Sequence, residues 1–337
     1  MIYKEDHPRR VIGSIVLETM EEHTKKKKKA KSEETNMINE PTFEFLVPDF
    51  DNFVETEQVS KIIERVVKWT DTGYSPHLIG PTGCGKTTLA MAVARKMGQP
   101  ILWLNGDDQM TTGDLIGGYS EVERSVVIDK YIHNVVVAKD KSKYIWVDNP
   151  LTIACKYGYT LIYNEFSRAK PIANNVLLSV LEEGILELPL MFGAERYVRV
   201  HPHFSVIFTS NSIEYAGVHR PQDALLDRMV HIYMGYYDFP TELGIVMKHT
   251  GLSDEAAGKV VAAVRQIRDK MPLESKPGTR AAIMVGLGLR VMMSREFEDI
   301  QQVYLDVLSS KIYGPEPESK YTALVEDVLR GVYVEAQ

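Results

Sequence analysis

Short apolar runs alternate with helical patterns between about residue 53 and residue 238. Five of the runs read as strands: HLIG, ILWLNG, TLIYNE, SVIFTSN and MVHIYM. Continuously apolar strands separated by helical segments are typical of a parallel sheet that is covered on both faces. Before the first run, the segment FVETEQVSKIIERVVKW carries apolar residues at helical spacing, which predicts a helix with one buried stripe. The pattern therefore predicts a three-layer α/β core.

The strand-like runs stop after about Pro240. Ser253 has the side chain of a helix N-cap, and apolar residues at one-face helical spacing follow it: Ala257, Val260, Val261, Val264 and Ile267. Further helical patterns cover residues 281–293, 295–311 and 320–333. We therefore predict an α/β domain over residues 46–238 and a smaller all-helical lid domain over residues 239–337.

Residues 1–45 differ from the rest of the chain. The run KKKKKAK at residues 25–31 has acidic residues on both sides, which largely cancel its charge. A solvated linker is therefore a better interpretation than a nucleic-acid or membrane-surface arm. The segment from Val11 to Met20 is apolar enough to form a short docked element. We expect a flexible N-terminal extension.

Composition narrows the class of protein. The formal net charge of −7 disfavours nucleic acid as a partner, although a local basic patch stays possible. The two cysteines, Cys84 and Cys155, provide no disulfide framework, and no apolar stretch approaches the length of a membrane span. We expect a cytoplasmic protein with no membrane partner.

The segment GPTGCGKT at residues 80–87 has the spacing of a phosphate-binding loop. Its glycines let backbone N–H groups surround a phosphate, Lys86 supplies a cation, and Thr87 offers a hydroxyl ligand to Mg²⁺. A strand pattern precedes the loop and a helical pattern follows it, which disfavours a chance glycine-rich turn. We expect Cys84 to be a small filler rather than a redox sensor. The predicted ATP-binding residues are Gly80, Pro81, Thr82, Gly83, Cys84, Gly85, Lys86, Thr87 and Thr88.

The run TLIYNE is where a nucleotide hydrolase places its acidic pair. Glu165 is positioned to polarise the attacking water, but Asn164 stands where a magnesium-orienting aspartate is expected. Losing such an outer-shell charge typically costs about 10–100-fold in metal affinity or activity, so we expect weakened hydrolysis. Thr87 and Asn164 are the candidate metal residues. Asn211, at the end of the run SVIFTSN, is a candidate for orienting the lytic water.

Two aspartates could compensate for the missing charge of Asn164. Asp107 and Asp108 follow the predicted strand ILWLN, which we expect to lie beside TLIYN. The carboxyl ends of parallel strands meet at the same edge of a sheet, where ligands bind. Either carboxylate is therefore a candidate within this chain.

Several long phrases resemble one family of ATPases. They include HLIGPTGCGKTTLA, NGDDQMTTGDLIGG, WVDNPLTIACKYGYTLIYNEFSRAK and FSVIFTSNSIEYAGVHRPQDALLDRMV. The chain resembles AAA+ ATPases of the MoxR branch and, within that branch, the gas vesicle GvpN family. The resemblance covers most of residues 53–252. Asn164 is the main departure, since the family pattern carries aspartate there.

The resemblance implies roles for individual residues. Lys86 and Thr87 match the Walker A motif, Asn164 and Glu165 match Walker B, and Asn211 matches sensor 1. It also implies ATP and Mg²⁺ as the cofactors of an ATP phosphohydrolase.

Three arginines match positions that complete such sites. Arg228 matches the arginine presented to a neighbouring subunit's nucleotide, and Arg280 matches sensor 2 in the lid. A cation near a helix C-terminus is also favoured by the helix dipole, which is an alternative reading of Arg228. Arg280 falls in the first turn of a helix, where a cation is unfavourable, which indicates another purpose. Arg168 is a further candidate for a subunit interface.

The resemblance implies a ring, with the hexamer as the expected form, and other gas vesicle proteins as partners. The segment GILELPLMFGAERYVRVHP predicts a β-hairpin insertion, which related ATPases use to contact partners, with an ordinary surface hairpin as the alternative. The implied function is an ATP-driven assembly factor or chaperone, cytoplasmic and in small amount on the gas vesicle. Two alternatives stay open: a nucleotide-gated structural adaptor with negligible hydrolysis, and a MoxR-type activator of an unrelated metalloenzyme or carbon-fixing enzyme.

Overall fold

A computed structural model describes residues 52–129, 137–189, 196–212, 219–292, 296–312 and 319–334. The lysine-rich run and the segment from Val11 to Met20 lie outside the described residues. The predictions made for them stay predictions.

The described part of the chain contains nine strands and twelve α-helices. The strands are β1 (Ser75–Gly80), β2 (Ile101–Asn105), β3 (Gly117–Asp129), β4 (Val137–Asp148), β5 (Thr160–Asn164), β6 (Ile185–Glu187), β7 (Tyr197–Arg199), β8 (Ser205–Asn211) and β9 (Met229–Tyr233). The helices are α1 (Glu57–Asp71), α2 (Lys86–Met97), α3 (Thr112–Ile116), α4 (Pro150–Tyr157), α5 (Pro171–Asn174), α6 (Val176–Glu182), α7 (Asp223–Leu226), α8 (Phe239–Thr250), α9 (Asp254–Lys270), α10 (Thr279–Met292), α11 (Phe297–Ile312) and α12 (Ser319–Tyr333).

Five parallel strands form the central sheet in the order β2-β5-β8-β1-β9. All five are the runs that the apolar pattern predicted, and the three-layer α/β core is confirmed. Helix α1 begins after Thr56, whose side-chain oxygen accepts the N–H of Val59 at 3.4 Å. Its predicted stripe packs on the core through Val59, Ile63 and Val66. The order places β8 between β5 and β1, so the residues at the ends of these three strands converge.

Two antiparallel hairpins extend from this core. Strands β6 and β7 pair as the sequence predicted, and Arg196 forms an exposed ion pair with Glu187 at 2.8 Å. The predicted turn between them falls within residues 190–195, outside the described residues. The longer hairpin of β3 and β4 pairs Gly117 with Asp148 and continues to Asp129 and Val137. The sequence analysis did not predict it, because most of its length mixes polar and apolar residues and its apolar runs are short.

Helices α8 to α12 surround a second hydrophobic core. Its fully buried residues include Val246, Val260, Val264, Val285, Tyr304 and Leu329. Ser253 caps α9 as predicted, since its hydroxyl accepts the N–H of Ala256 at 3.4 Å. No separate helix was predicted at α8, which begins after Asp238, whose carboxylate accepts the N–H of Thr241 at 3.0 Å. Among the described residues, no helix has the length and apolar character needed to cross a bilayer.

Candidate nucleotide site

The predicted phosphate loop connects β1 to α2. Gly83 and Gly85 have φ angles of 80° and 86°, in the left-handed region that favours glycine. A Cβ on Gly85 would also lie 3.0 Å from the hydroxyl of Tyr237. Helix α2 begins at Lys86 with no side-chain cap, and the backbone N–H groups of a helix's first turn are the groups that bind anions.

Lys86 is held over the loop by oxygen atoms. Its side chain is buried, and Nζ donates to the carbonyls of Gly80 and Pro81 at 3.0 and 2.9 Å and to Asn211 Oδ1 at 2.9 Å. Burial lowers the pKa of the Lys86 amine from its usual value, and the nearby charge of Arg280 adds to this effect. The carboxylate of Glu165 acts in the opposite direction and favours the charged amine.

Asn164 forms the polar end of β5 beside the start of α2. Its Oδ1 accepts hydrogen bonds from the hydroxyls of Thr87 at 3.0 Å and Thr209 at 2.8 Å. Its Nδ2 donates to Oδ1 of Asn105 at 3.0 Å. The structure therefore brings the two candidate metal residues, Thr87 and Asn164, into direct contact.

Trp103 determines which way these amides face. Its indole Nε1–H, which can only donate, bonds Oδ1 of Asn105 at 3.0 Å. Asn105 must therefore present its oxygen, and Asn164 must present its NH₂ group to that oxygen. It follows that Asn164 turns its own oxygen toward Thr87. The indole N–H of Trp103 therefore fixes the orientation of the Asn164 amide through Asn105.

These oxygens fit a weak magnesium site. Mg²⁺ usually takes one or two protein ligands, while waters and substrate phosphates supply the rest. Thr87 and Asn164 offer two adjacent neutral oxygens, and Glu165 places a carboxylate on the next residue. No group of three or more metal-binding side chains (His, Cys, Asp or Glu) occurs in the part of the chain that the structure describes. The phosphates of the nucleotide would therefore supply most of the negative charge around the metal.

Restoring an acid at position 164 should speed hydrolysis. We expect Asn164→Asp to raise the hydrolysis rate about 10-fold or more at limiting Mg²⁺, because a charged oxygen replaces a neutral one. The new carboxylate also faces Oδ1 of Asn105, so that amide must turn and lose its bond to Trp103. Phosphate release across a Mg²⁺ series measures the gain. Adding Trp103→Phe should increase it, and identical curves for wild type and Asn164→Asp would contradict the expectation.

Glu165 and Asn211 are linked at the ends of neighbouring strands. Asn211 Nδ2 donates to Glu165 Oε2 at 2.9 Å, while the opposite end of the same amide accepts from Lys86. Glu165 has φ 53°, the one positive φ among the described non-glycine residues. Such backbone costs about 1–3 kcal/mol and is concentrated at functional sites. Its backbone N–H donates to Thr209 Oγ1 at 3.1 Å, which fixes the strained turn.

The three candidate arginines lie at different places relative to the phosphate loop. Arg280, the second residue of α10, lies beside the phosphate loop, since a Cβ on Gly83 would come within 3.6 Å of its own Cβ. Arg228 donates to the carbonyl of Ala224, near the end of α7, and to the carboxylate of Glu182. The first of these bonds is the helix-end contact of the alternative reading. Arg168 is exposed in a 3₁₀ turn directly after Glu165.

Sequence reasoning missed three polar residues at the site: Trp103, Asn105 and Thr209. Asn105 was detectable in principle, because it ends β2 and pairs in register with Asn164. The predicted compensating acids form bonds elsewhere. Asp107 accepts the N–H of Gln109 at 2.8 Å, and Asp108 pairs with His219 at 2.6 Å.

A buried histidine supports the sheet below the site. His77 of β1 shares hydrogen bonds with Ser210 of β8 at 2.7 Å and with His231 of β9 at 3.0 Å. Burial, together with the neighbouring His231, lowers the pKa of His77 to about 3, so this imidazole is neutral near pH 7. The bonds join three strands one residue below Asn211.

Comparison with known proteins agrees with this geometry. The family profile of the AAA domain, dynein-related subfamily, matches residues 77–229. The gas vesicle ATPase GvpN1 of Halobacterium salinarum is 52% identical over 270 residues, which cover 80% of this chain and 77% of that protein. This chain belongs to the GvpN family of gas vesicle ATPases. The family relation makes it an AAA+ ATPase that binds a nucleotide.

Other GvpN relatives match over similar lengths. The gas vesicle ATPase GvpN of Haloferax mediterranei is 50% identical over 290 residues, covering 86% of this chain and 83% of that protein. Among solved structures, a point mutant of RuvB from Thermotoga maritima is similar with a TM-score of 0.46 and 15% sequence identity. That match covers 77% of this chain and 73% of that one.

Proposed function

We propose that this GvpN-family protein hydrolyses ATP slowly with Mg²⁺ and uses the energy to help assemble gas vesicle shells. The observation that carries the enzymatic part is the hydrogen-bonded series Lys86–Asn211–Glu165. It joins a phosphate-binding cation to a carboxylate that can orient water. The names of the relatives support the link to gas vesicles. The protein would act in the cytoplasm and be a minor component of the vesicle.

Each site residue has a separate task in this proposal. Lys86 and the N–H groups of α2 bind the β- and γ-phosphates. Glu165 orients the attacking water and accepts its proton, while Asn211 holds the Glu165 carboxylate toward the phosphate loop. Thr87 and Asn164 would hold Mg²⁺, which neutralises phosphate charge when it is bound. Arg280 contributes a second positive charge beside the loop.

A ring of identical subunits would complete the site. Arg228 would act on a neighbouring subunit's nucleotide, with the hexamer as the proposed form. The division at residues 238 and 239 also stays a proposal, supported by the separate hydrophobic cores of the sheet and of helices α8 to α12. The β6–β7 hairpin is the proposed contact for other gas vesicle proteins. We also propose that the protein belongs to the MoxR branch of AAA+ ATPases and acts like a chaperone.

A nucleotide-gated adaptor is the second candidate function. Asn164 favours it, because an uncharged residue in the Walker B position weakens metal binding without removing the phosphate loop. In this case the protein binds ATP, changes its assembly state and performs no work.

Phosphate release measured over a series of protein concentrations tests the proposed function. We expect the rate per subunit to rise with concentration, because the site is shared between subunits. A measurable rate that is independent of concentration would contradict the shared site. Nucleotide-dependent assembly without turnover would select the adaptor. The Glu165→Gln variant is the background control.

A further inference from the structure

A buried carboxylate lies where helices α8, α9 and α10 meet. Glu242 of α8 is 1% exposed, and Oε1 accepts from Arg268 at 2.7 Å and from the Thr279 hydroxyl at 2.9 Å. Oε2 accepts from Arg268 at 3.1 Å and from Arg265 at 2.8 Å. We call these four residues the Glu242 cluster. Buried charges need partners of this kind, because an unpaired one is costly to bury.

The cluster also holds the segment that enters α10. Arg268 is 4% exposed, and its Nε donates to the carbonyl of Pro277 at 2.7 Å. The same guanidinium carbon lies 4.0 Å from the ring centroid of Tyr236. Thr279 is bonded to Glu242 two residues later. The backbone is therefore attached to the cluster on both sides of Gly278.

Gly278 in turn contacts the phosphate loop. A Cβ added to it would lie 2.8 Å from the carbonyl oxygen of Thr82 and 2.9 Å from that of Gly83. The two backbones pack directly, with no space for a side chain. Arg280 follows two residues later, close enough for its charge to act on Lys86. The segment that the Glu242 cluster holds in place therefore leads directly into Arg280.

A second arm of the cluster supports the other side of the loop. Arg265 donates to the carbonyl of Tyr237 at 2.8 Å. The hydroxyl of Tyr237 is the group nearest to a Cβ built on Gly85, at 3.0 Å. The cluster therefore bonds to two segments that pack against the phosphate loop, one near Gly83 and one near Gly85.

The contacts of the cluster indicate a role beyond stability. Buried ion pairs can often be replaced by apolar residues without loss of stability, so a buried pair is weak evidence for a stabilising role. We propose that Glu242 is a positioning residue for the nucleotide site, which acts by setting Arg280 against the phosphate loop. This inference rests on the proposed function, because it assigns Arg280 to the bound ATP.

Thr279 offers a mild test of the cluster. Thr279→Val keeps the shape of the side chain and removes its bond to Glu242, whereas Thr279→Ser retains the hydroxyl. We expect the full-length Thr279→Val protein to bind Mg²⁺-ATP about 10-fold more weakly, the effect of one hydrogen bond to a charged group. Thr279→Ser should stay within about twofold of wild type. Calorimetric titration with ATP gives the affinities, and thermal melting without nucleotide reports folding.

A double-mutant cycle separates positioning from a structural role. If the cluster acts through Arg280, Thr279→Val should weaken binding by less than about twofold when added to Arg280→Ala. If the Glu242→Gln protein folds, its ATP affinity should be lowered in the same way as that of Thr279→Val. Glu326→Gln removes the same charge from an exposed pair with Arg330 on α12 and should change neither affinity nor coupling.

The outcomes are distinct. Wild-type ATP affinity of Thr279→Val, with or without a lowered melting temperature, or additive effects in the cycle, would overturn the positioning role and leave the proposed function intact. If the folded wild-type protein bound no ATP, the proposed function itself would be overturned. Weak ATP binding by Thr279→Val that Thr279→Ser restores, together with non-additivity against Arg280→Ala, supports the inference.

Discussion

Replacing Arg228 by alanine should lower the maximal rate of ATP hydrolysis about 10³–10⁵-fold, the usual effect of losing a transition-state arginine. ATP affinity should change little, because Arg228 would act on the nucleotide of the neighbouring subunit. In the isolated chain its guanidinium is bonded to Glu182 and to the carbonyl of Ala224. In a ring, the Arg228 guanidinium must therefore break these two hydrogen bonds before it can contact the neighbouring nucleotide. Steady-state phosphate release at saturating ATP gives the rate.

Mixing two inactive variants shows whether Arg228 acts between subunits. A subunit with Arg228→Ala keeps Glu165, and a neighbour with Glu165→Gln keeps Arg228. A mixed ring should therefore contain some complete sites and regain activity. Arg220→Ala is the matched control, because Arg220 is exposed and pairs with Asp223, three residues later, at 3.1 Å. A wild-type rate for Arg228→Ala, or no recovery in mixtures that do assemble, would contradict the assignment.

Replacing Glu165 by glutamine should reduce the hydrolysis rate about 10²–10⁴-fold, as expected when a general base is lost. The amide keeps the size of the side chain and can still accept the bond from Asn211. ATP binding should therefore persist. Single-turnover hydrolysis and equilibrium ATP binding, measured on the same sample, separate the two steps.

Glu183→Gln provides the matched comparison for Glu165. Glu183 is an exposed residue at the end of α6, so the same change there should leave both measurements unaltered. If Glu165→Gln turned over ATP as fast as wild type, the carboxylate would not be the base. If it failed to bind ATP, its role would be structural.

The five sheet strands could be predicted because a strand buried on both faces leaves a continuous apolar run. We expected β2 to lie beside β5, but an apolar run carries no information about the register between two strands. Asn105 was therefore missed, although it pairs directly with Asn164. The β3–β4 hairpin was missed for another reason, because most of its length mixes polar and apolar residues and its apolar runs are short.

Long-range polar contacts were the least predictable part of the site. Glu242 reads as an ordinary acid in the first turn of a helix, where the dipole favours it. Its partner Arg268 is 26 residues away and reads as a basic residue near a helix end. Arg228 likewise pairs with Glu182, 46 residues earlier. Only packing brings such residues together, so neither spacing nor periodicity reveals them.

The central claim is that the loop at Lys86 binds a nucleoside triphosphate. Calorimetric titration of the full-length protein with ATP and Mg²⁺ tests it most directly, with Lys86→Ala as the partner sample. We predict saturable binding at one site per chain in wild type and none in Lys86→Ala, with both proteins folded by circular dichroism. No binding heat from folded wild type, or equal heat from both proteins, would contradict the account.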